Sequence, residues 1–262
     1  MGSITETDSL LKQAFADSDG TIRTLASQVE ERMKGDADDM IVDIGPVFGE
    51  LNAKTVGTLD DNLLIVIAGM TKSIAKIPVK DRTYEKTVAL FSQSPLVQVE
   101  GTGVSKSDSL IKQDSAAFHT NGSPDAKIVK EVANWFRKFI DDQGILDATN
   151  IDINVLGNIV AQSGAIAKDL TTAFQTKEKA AKSLDIAGIR YPEPGRPMFS
   201  IFRVHLTAWS DCTQSLLEHK DSNGITGEFY QTDYVPRKAT LDGLKDEVRQ
   251  KAVEAAKALF QD

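Results

Sequence analysis

Hydrophobic positions recur at helical spacing in several stretches of this 262-residue chain. Apolar side chains three and four residues apart form one stripe along a helix, and such a stripe packs on the core. Val132, Phe136 and Phe139, for example, share one stripe. The same spacing predicts amphipathic helices over residues 22–33, 80–91, 128–140, 151–184 and 240–260.

Strict alternation of apolar and polar residues predicts two strands near the end of the chain. Residues 199–209 and 225–235 alternate with period two and are rich in aromatic and β-branched side chains, which is typical of half-buried strands. We expect the two strands to pair in antiparallel fashion. Residues 211–224 are then expected to form a connection or a short helix.

Shorter apolar runs predict further strands. Residues 40–44 and 96–100 read as short strands, and the second is expected to stop at Gly101 and Gly103. Residues 63–68 are apolar without a break, which fits either a buried strand or the start of a buried helix.

The order of these elements predicts an α+β fold rather than a doubly wound parallel sheet, because strands and helices do not alternate regularly. We expect a helix-rich protein in which long amphipathic helices pack on a small, mostly antiparallel sheet. Residues 1–262 are interpreted as a single domain, with an exposed loop or boundary at 105–124. The alternative is a separate β-containing C-terminal part, 185–262.

Composition excludes several classes of protein. The chain has 30 Lys and Arg against 38 Asp and Glu, a formal charge of −8. These charges are spread along the chain, which disfavours nucleic acid as a partner. Cys212 is the only cysteine, so an intramolecular disulfide and a cysteine-rich zinc site are excluded. No cofactor and no metal site are predicted.

The N-terminal residues lack the basic and apolar regions of a secretion signal, so the protein is expected to be cytoplasmic as synthesised. Leaderless secretion stays open as an alternative. The longest apolar run, residues 63–70, is far shorter than the roughly 20 residues that a membrane-spanning helix needs. No permanent membrane span is therefore expected.

The two late strands carry the best candidate binding surface. Alternation places cationic, imidazole and indole groups together on one face of the first strand, and phenol groups on one face of the second. If these faces coincide, they form an aromatic-rich patch that could hold a glycan, a lipid headgroup or a protein. The alternative is that helices cover this face and Glu228 pairs with Arg203. The patch consists of Arg203, His205, Trp209, Tyr230 and Tyr234.

Small residues are dense in the predicted helix 151–174, notably Gly157, Ala161, Gly164 and Ala165. Small side chains let helices approach closely in membrane or oligomer interfaces. A helix of this kind could leave the soluble fold and insert in a bilayer, or join a second copy in a homo-oligomer. The alternative is tight packing inside one soluble fold.

No set of acid, base and nucleophile can be assembled from the motifs, which disfavours an enzyme. The first hypothesis is therefore a non-catalytic binding or assembly protein that uses the late strand face. The second is a soluble, membrane-active, toxin-like protein that acts through the small-residue helix. The third is a hydrolase whose site is assembled only in space.

Overall fold

The protein has an α+β fold in which helices pack on both faces of a mixed sheet. The structure, a computed structural model, describes residues 39–42, 47–49, 51–78, 81–113, 125–149, 151–161, 176–214 and 219–260. The strands are β1 (Asp39–Val42), β2 (Val47–Phe48), β3 (Val97–Gln113), β4 (Thr176–Arg190), β5 (Phe199–Gln214) and β6 (His219–Pro236). The helices are α1 (Asp61–Ala75), α2 (Tyr84–Gln93), α3 (Ala126–Ile140), α4 (Gln143–Thr149), α5 (Ile153–Val160), α6 (Lys238–Asp242) and α7 (Asp246–Ala258).

The strands form one sheet in the order β1-β4-β5-β6-β3, and β2 also pairs with β4. Strands β3 to β6 pair antiparallel, whereas β1 and β2 run parallel to β4. The antiparallel pairing of the two late strands is therefore confirmed. The sheet is larger than expected, because β3 to β6 have 17, 15, 16 and 18 residues.

One face of the sheet is covered by α3, α4 and α5. The even-numbered positions of β5, from Phe202 to Ala208, point to this face and are fully buried with Ile225 and Phe229 of β6. The apolar stripe of α3 packs on them through Phe136 and Phe139. Period-two strands and a period-3.6 helix thus bury their apolar sides against each other.

The opposite face is covered at one end only by the described helices. There α1, α2 and α7 pack on Phe199, Ile201 and Tyr234. The apolar run 63–68 belongs to α1, whose N-cap Asp60 accepts a hydrogen bond from the amide of Leu63. The run is buried throughout, which is typical of a helix enclosed in a core.

The structure corrects several predicted boundaries. Residues 176–184 belong to β4 and not to a helix, so the helix predicted over 151–184 is confirmed only in α5. Residues 105–113 continue β3 beyond the glycines that were expected to end it. The connection expected at 211–224 is mostly strand, because β5 and β6 extend to Gln214 and from His219.

The C-terminal helix is broken where a single helix was expected. Gly243 ends α6, and α7 begins three residues later. Leu241 is fully buried, as predicted from the stripe, but Val248 is 49% exposed, because the break rotates the second helix relative to the first. The helix predicted over 22–33 and the segment 114–124 lie outside the described residues.

Candidate functional site

The strands place all five predicted patch residues on one face of the sheet, and four of them lie outside the core. Arg203 lies opposite Tyr230, and His205 lies opposite Glu228 in the pairing of β5 with β6. Trp209 follows on the same face of β5. Beyond the end covered by α2, none of the described helices covers this part of the sheet. We call it the open face, and it consists of Asp185, Arg203, His205, Trp209, Glu228 and Tyr230.

Arg203 is the best-anchored side chain of the open face. Its Nε donates to Asp185 Oδ1 at 2.8 Å, and its Nη2 donates to the other oxygen of the same carboxylate. Its Nη1 donates to Glu85 Oε1 of α2 at 3.0 Å. The hydrogen bonds to Asp185 are the largest cause that raises the pKa of the Arg203 guanidinium. The pairing with Glu228 considered from the sequence is therefore replaced by Asp185 and Glu85.

His205 occupies the middle of the open face. Its Nδ1 lies 3.5 Å from Asp185 Oδ2, is shielded from solvent, and has no hydrogen-bond partner among the described residues. The side chain is 35% exposed, so the rest of the ring reaches solvent. Beside it Thr207 Oγ1 lies 2.9 Å from Ser183 Oγ, which continues the row of polar groups.

Trp209 lies at the far end of the open face and packs over Gly224. A Cβ at Gly224 would lie 2.5 Å from Trp209 Cζ2 and 2.8 Å from Cη2. Only glycine therefore leaves room for the indole to lie against β6. Trp209 is partly exposed, so the ring is both held and accessible.

Helix α2 forms the border at the other end of the open face. The ring of Tyr84 lies 6.4 Å from that of Tyr230, measured between centroids. Burial is the largest cause that raises the pKa of Tyr84. Tyr230 is half-buried at this border, and its hydroxyl donates to Glu228 Oε2 at 3.4 Å.

Tyr234, the fifth predicted patch residue, shares this face of the sheet but belongs to the core. It is fully buried, and its ring lies 5.2 Å from that of Phe91 in α2. Its hydroxyl lies 3.0 Å from Ser92 Oγ. Helix α2 thus separates Tyr234 from the surface, so Tyr234 is not part of the open face.

Asp185 and Glu85 were missed as site residues. The predicted helix ends at residue 184 and leaves Asp185 just beyond it, although Leu184 and Ile186 alternate with polar positions as strand residues do. Recognising that alternation would have predicted β4. Glu85 carries no such signal, because only the packing of α2 on the sheet brings it to Arg203.

The small-residue group is only partly described. Gly157 lies where α5 approaches α3, and a Cβ there would lie 3.3 Å from the Cα of Val129. Ala161 is buried at the end of α5. Gly164 and Ala165 lie outside the described residues. Gly157 thus allows close helix packing, as expected of a small residue, inside this fold.

Across the described ranges, no helix combines the length and the apolar character that crossing a membrane requires.

No protein-family model matches the chain, and no curated protein matches it in sequence. Among solved structures, a delta-endotoxin matches at 8% identity over 77% of this chain and 81% of its own, with a TM-score of 0.29. The activated Cyt2Ba monomer from Bacillus thuringiensis subsp. israelensis matches at 10% identity over 76% and 97%, with a TM-score of 0.27. The Evf virulence factor matches at 9% identity over 86% and 78%, with a TM-score of 0.19. At such low scores none of these likenesses carries an argument about fold or function.

Proposed function

We propose that this protein is a non-catalytic binding protein whose open face holds a neutral carbohydrate. The observation that carries the proposal is the partly exposed indole of Trp209, fixed over Gly224 at the end of a row of polar side chains. A flat aromatic ring beside hydrogen-bonding groups is suited to a sugar, which offers apolar C–H groups on one side and hydroxyls around its edge.

The charges of the open face favour a neutral ligand over a phosphate or lipid headgroup. Arg203 already binds the carboxylates of Asp185 and Glu85, so its guanidinium is neutralised. Glu228 adds a further exposed carboxylate. An anion approaching this surface would meet more negative than positive charge, and the Coulomb energy opposes its binding.

The hydrogen-bonding groups of the open face suit hydroxyls. Carboxylates accept hydrogen bonds, an imidazole can donate or accept, and a phenol does both. Glu228, His205 and Tyr230 supply these groups on neighbouring strands, since His205 lies directly opposite Glu228. The Arg203–Asp185 pair joins β5 to β4 beside them.

The test is a glycan array followed by fluorescence titration with the glycans that bind. The chain has two tryptophans, so Trp135→Phe leaves Trp209 as the only indole that can report a ligand. We expect the emission of Trp209 to change on binding. Trp209→Ala should weaken binding about thirtyfold, the equivalent of a central contact residue worth about 2 kcal/mol.

Val248→Ala is the control, because Val248 is an exposed apolar side chain of α7, a helix that packs mainly on α1. It should leave glycan affinity unchanged. A folded Trp209→Ala variant that binds as tightly as the native protein would refute the assignment to this surface. Binding of phosphate-bearing vesicles but of no glycan would refute the ligand class.

Membrane activity is a second candidate, favoured by the layer of helices on the other face. The apolar side of α3 is buried on the sheet through Val132, Phe136 and Phe139, whereas Lys130 and Arg137 face solvent. A helix with these two sides binds the interface of a bilayer if it leaves the sheet.

A cross-link between α3 and β3 tests this second candidate. Lys112 of β3 forms an ion pair with Glu131 of α3, so cysteines at these two positions can be joined by dibromobimane in a Cys212→Ser background. If release of α3 is required, the cross-linked protein should lose leakage activity on vesicles, and the same protein before cross-linking should keep it. Leakage that survives the cross-link would exclude release of this helix.

A further inference from the structure

Strand β3 is the last strand of the sheet on one side, within the part of the chain that the structure describes. It pairs with β6 on one side, and no strand of the described residues pairs with its other side. A bulge at Gly101 and Gly103, both with φ of +69°, interrupts the pairing near the start of the strand. From Val104 to Gln113 the register with β6 is then continuous.

This regular part of the edge lacks most of the usual protection against pairing with another strand. Natural edges are protected by proline, bulges, short length, a covering element or charged side chains, above all lysine. Of these, residues 104–113 carry charged side chains at Lys106, Asp108 and Lys112, so a partner strand must bring opposite charges to face them. Residues 104–113 contain no proline and no bulge. Residues 105–109 are all exposed, and Ile111 is 50% exposed. The backbone N–H and C=O groups of alternate residues are therefore available to a partner.

We propose that the partner is a second copy of this chain, bound β3 to β3 in antiparallel fashion about a twofold axis at Ser107. In a twofold pairing, each residue before the axis lies opposite the residue equally far after it. Lys106 of one copy then faces Asp108 of the other, and the same pair recurs on the other side of the axis. Val104 faces Leu110 at the next position on the same face of the sheet.

The charges select this register over its neighbours. An axis at Lys106 or at Asp108 would place like charges opposite each other, and an axis at Ser109 would place Lys106 opposite Lys112. Directly opposed like charges destabilise a strand pair, whereas opposite charges contribute about 0.2–1 kcal/mol each.

An axis at Leu110 also joins opposite charges, because Asp108 would face Lys112. However, Lys112 is already held by Glu131 of α3. Lys106 forms no ion pair among the described residues: it donates a long hydrogen bond of 3.4 Å to the carbonyl of Phe139 and lies 5.9 Å from the ring centroid of Phe229. A dimer with its axis at Ser107 therefore leaves the Lys112–Glu131 ion pair of each copy intact.

Charge exchange tests the proposal, with sedimentation velocity as the measurement. The native protein should form a dimer whose fraction rises with concentration. Lys106→Asp alone and Asp108→Lys alone should each weaken the dimer, because each places like charges opposite each other twice. An equimolar mixture of the two variants should dimerise again, since both pairs then have opposite signs.

Lys112→Asp is the matched control, because it makes the same change of charge on the same strand but faces the uncharged Thr102 in this register. It should keep the dimer of the native protein. Circular dichroism of every variant separates a loss of pairing from a loss of folding, and recovery in the mixture shows that both variants are folded.

Cysteine cross-linking tests the axis directly. In a Cys212→Ser background, Ser107→Cys should form a disulfide with itself, because directly opposite residues in antiparallel strands lie about 4.5–5.5 Å apart between Cα atoms, within disulfide range. Ser105→Cys should not, because it faces Ser109. A native protein that is monomeric at all concentrations, a dimer unaffected by charge exchange, or cross-linking through Leu110→Cys instead would each overturn the proposal.

Discussion

Gly227 of β6 lies against two aromatic rings of α3, so a single added methyl group would press on the layer of helices. A Cβ at this position would lie 2.7 Å from Phe139 Cε1, 3.0 Å from Trp135 Cη2 and 3.1 Å from Leu206 Cδ2. The rings of Trp135 and Phe139 are stacked, with centroids 5.2 Å apart and planes within 5°. Because both rings belong to α3, Gly227→Ala can be accommodated only if this part of α3 shifts or the rings turn.

The magnitude follows from two opposing effects. Overpacking a filled core costs about 1–3 kcal/mol. Replacing a glycine in a strand with alanine returns about 0.5–1 kcal/mol, because the unfolded chain loses freedom. We therefore expect Gly227→Ala to lower the free energy of unfolding by about 1–2 kcal/mol, or Tm by about 2–4 °C for a chain of this size.

The assay is urea denaturation followed by fluorescence and far-ultraviolet circular dichroism. Gly57→Ala is the matched control, because a Cβ there has no neighbour within 4 Å. It should be neutral or slightly stabilising. A Gly227→Ala variant as stable as Gly57→Ala would refute the reasoning, since it would mean that the two rings move aside at no cost. If α3 acts on membranes, Gly227→Ala should also increase leakage.

Three further predictions concern the packing and the charges. Gly157→Leu should destabilise the protein by about 2 kcal/mol in urea, because α3 lies too close to α5 to admit a side chain. Asp185→Asn should cost about 1–2 kcal/mol, after allowance for partial exposure, because Arg203 loses a charged acceptor, whereas Glu85→Gln on the exposed side should cost almost nothing. Burial raises the pKa of the Tyr191 hydroxyl in the folded state. Because the unfolded state therefore ionises first, the contribution of Tyr191 to stability is complete below about pH 10 and falls above it. Tyr191→Phe should make the free energy of unfolding less sensitive to alkali between about pH 10 and 11.

The sequence patterns predicted the positions of the helices and strands more accurately than the residues at which they begin and end. The stripe of 128–140 and the alternation of 199–209 lie inside α3 and β5, because periodicity reports which side of an element is buried. The sequence predicts that Gly101 and Gly103 end a strand, but in the structure they form a bulge within β3. Glycine permits both outcomes, and pairing with β6 decides between them.

Of the five residues predicted to form a binding patch, four lie on the open face and Tyr234 is buried, and the charge of that face was not predicted. Alternation alone places Arg203, His205 and Trp209 on one side of β5, and no other arrangement of a strand is available to them. Whether that side is basic depends on its neighbours. Asp185 arrives from β4 and Glu85 from α2, so a surface that contains an arginine carries a net negative charge.

By itself, the sequence determined the properties that depend on neighbouring residues along the chain: the fold class, the inward sides of α3 and β5, and the absence of disulfide chemistry within one chain. Only the tertiary structure decided which residues distant in sequence meet. It buried Tyr234 beneath α2, placed Trp209 over Gly224, and left the regular half of β3 without a described neighbour on its outer edge. These contacts join segments far apart in the chain, and local periodicity carries no information about such distances.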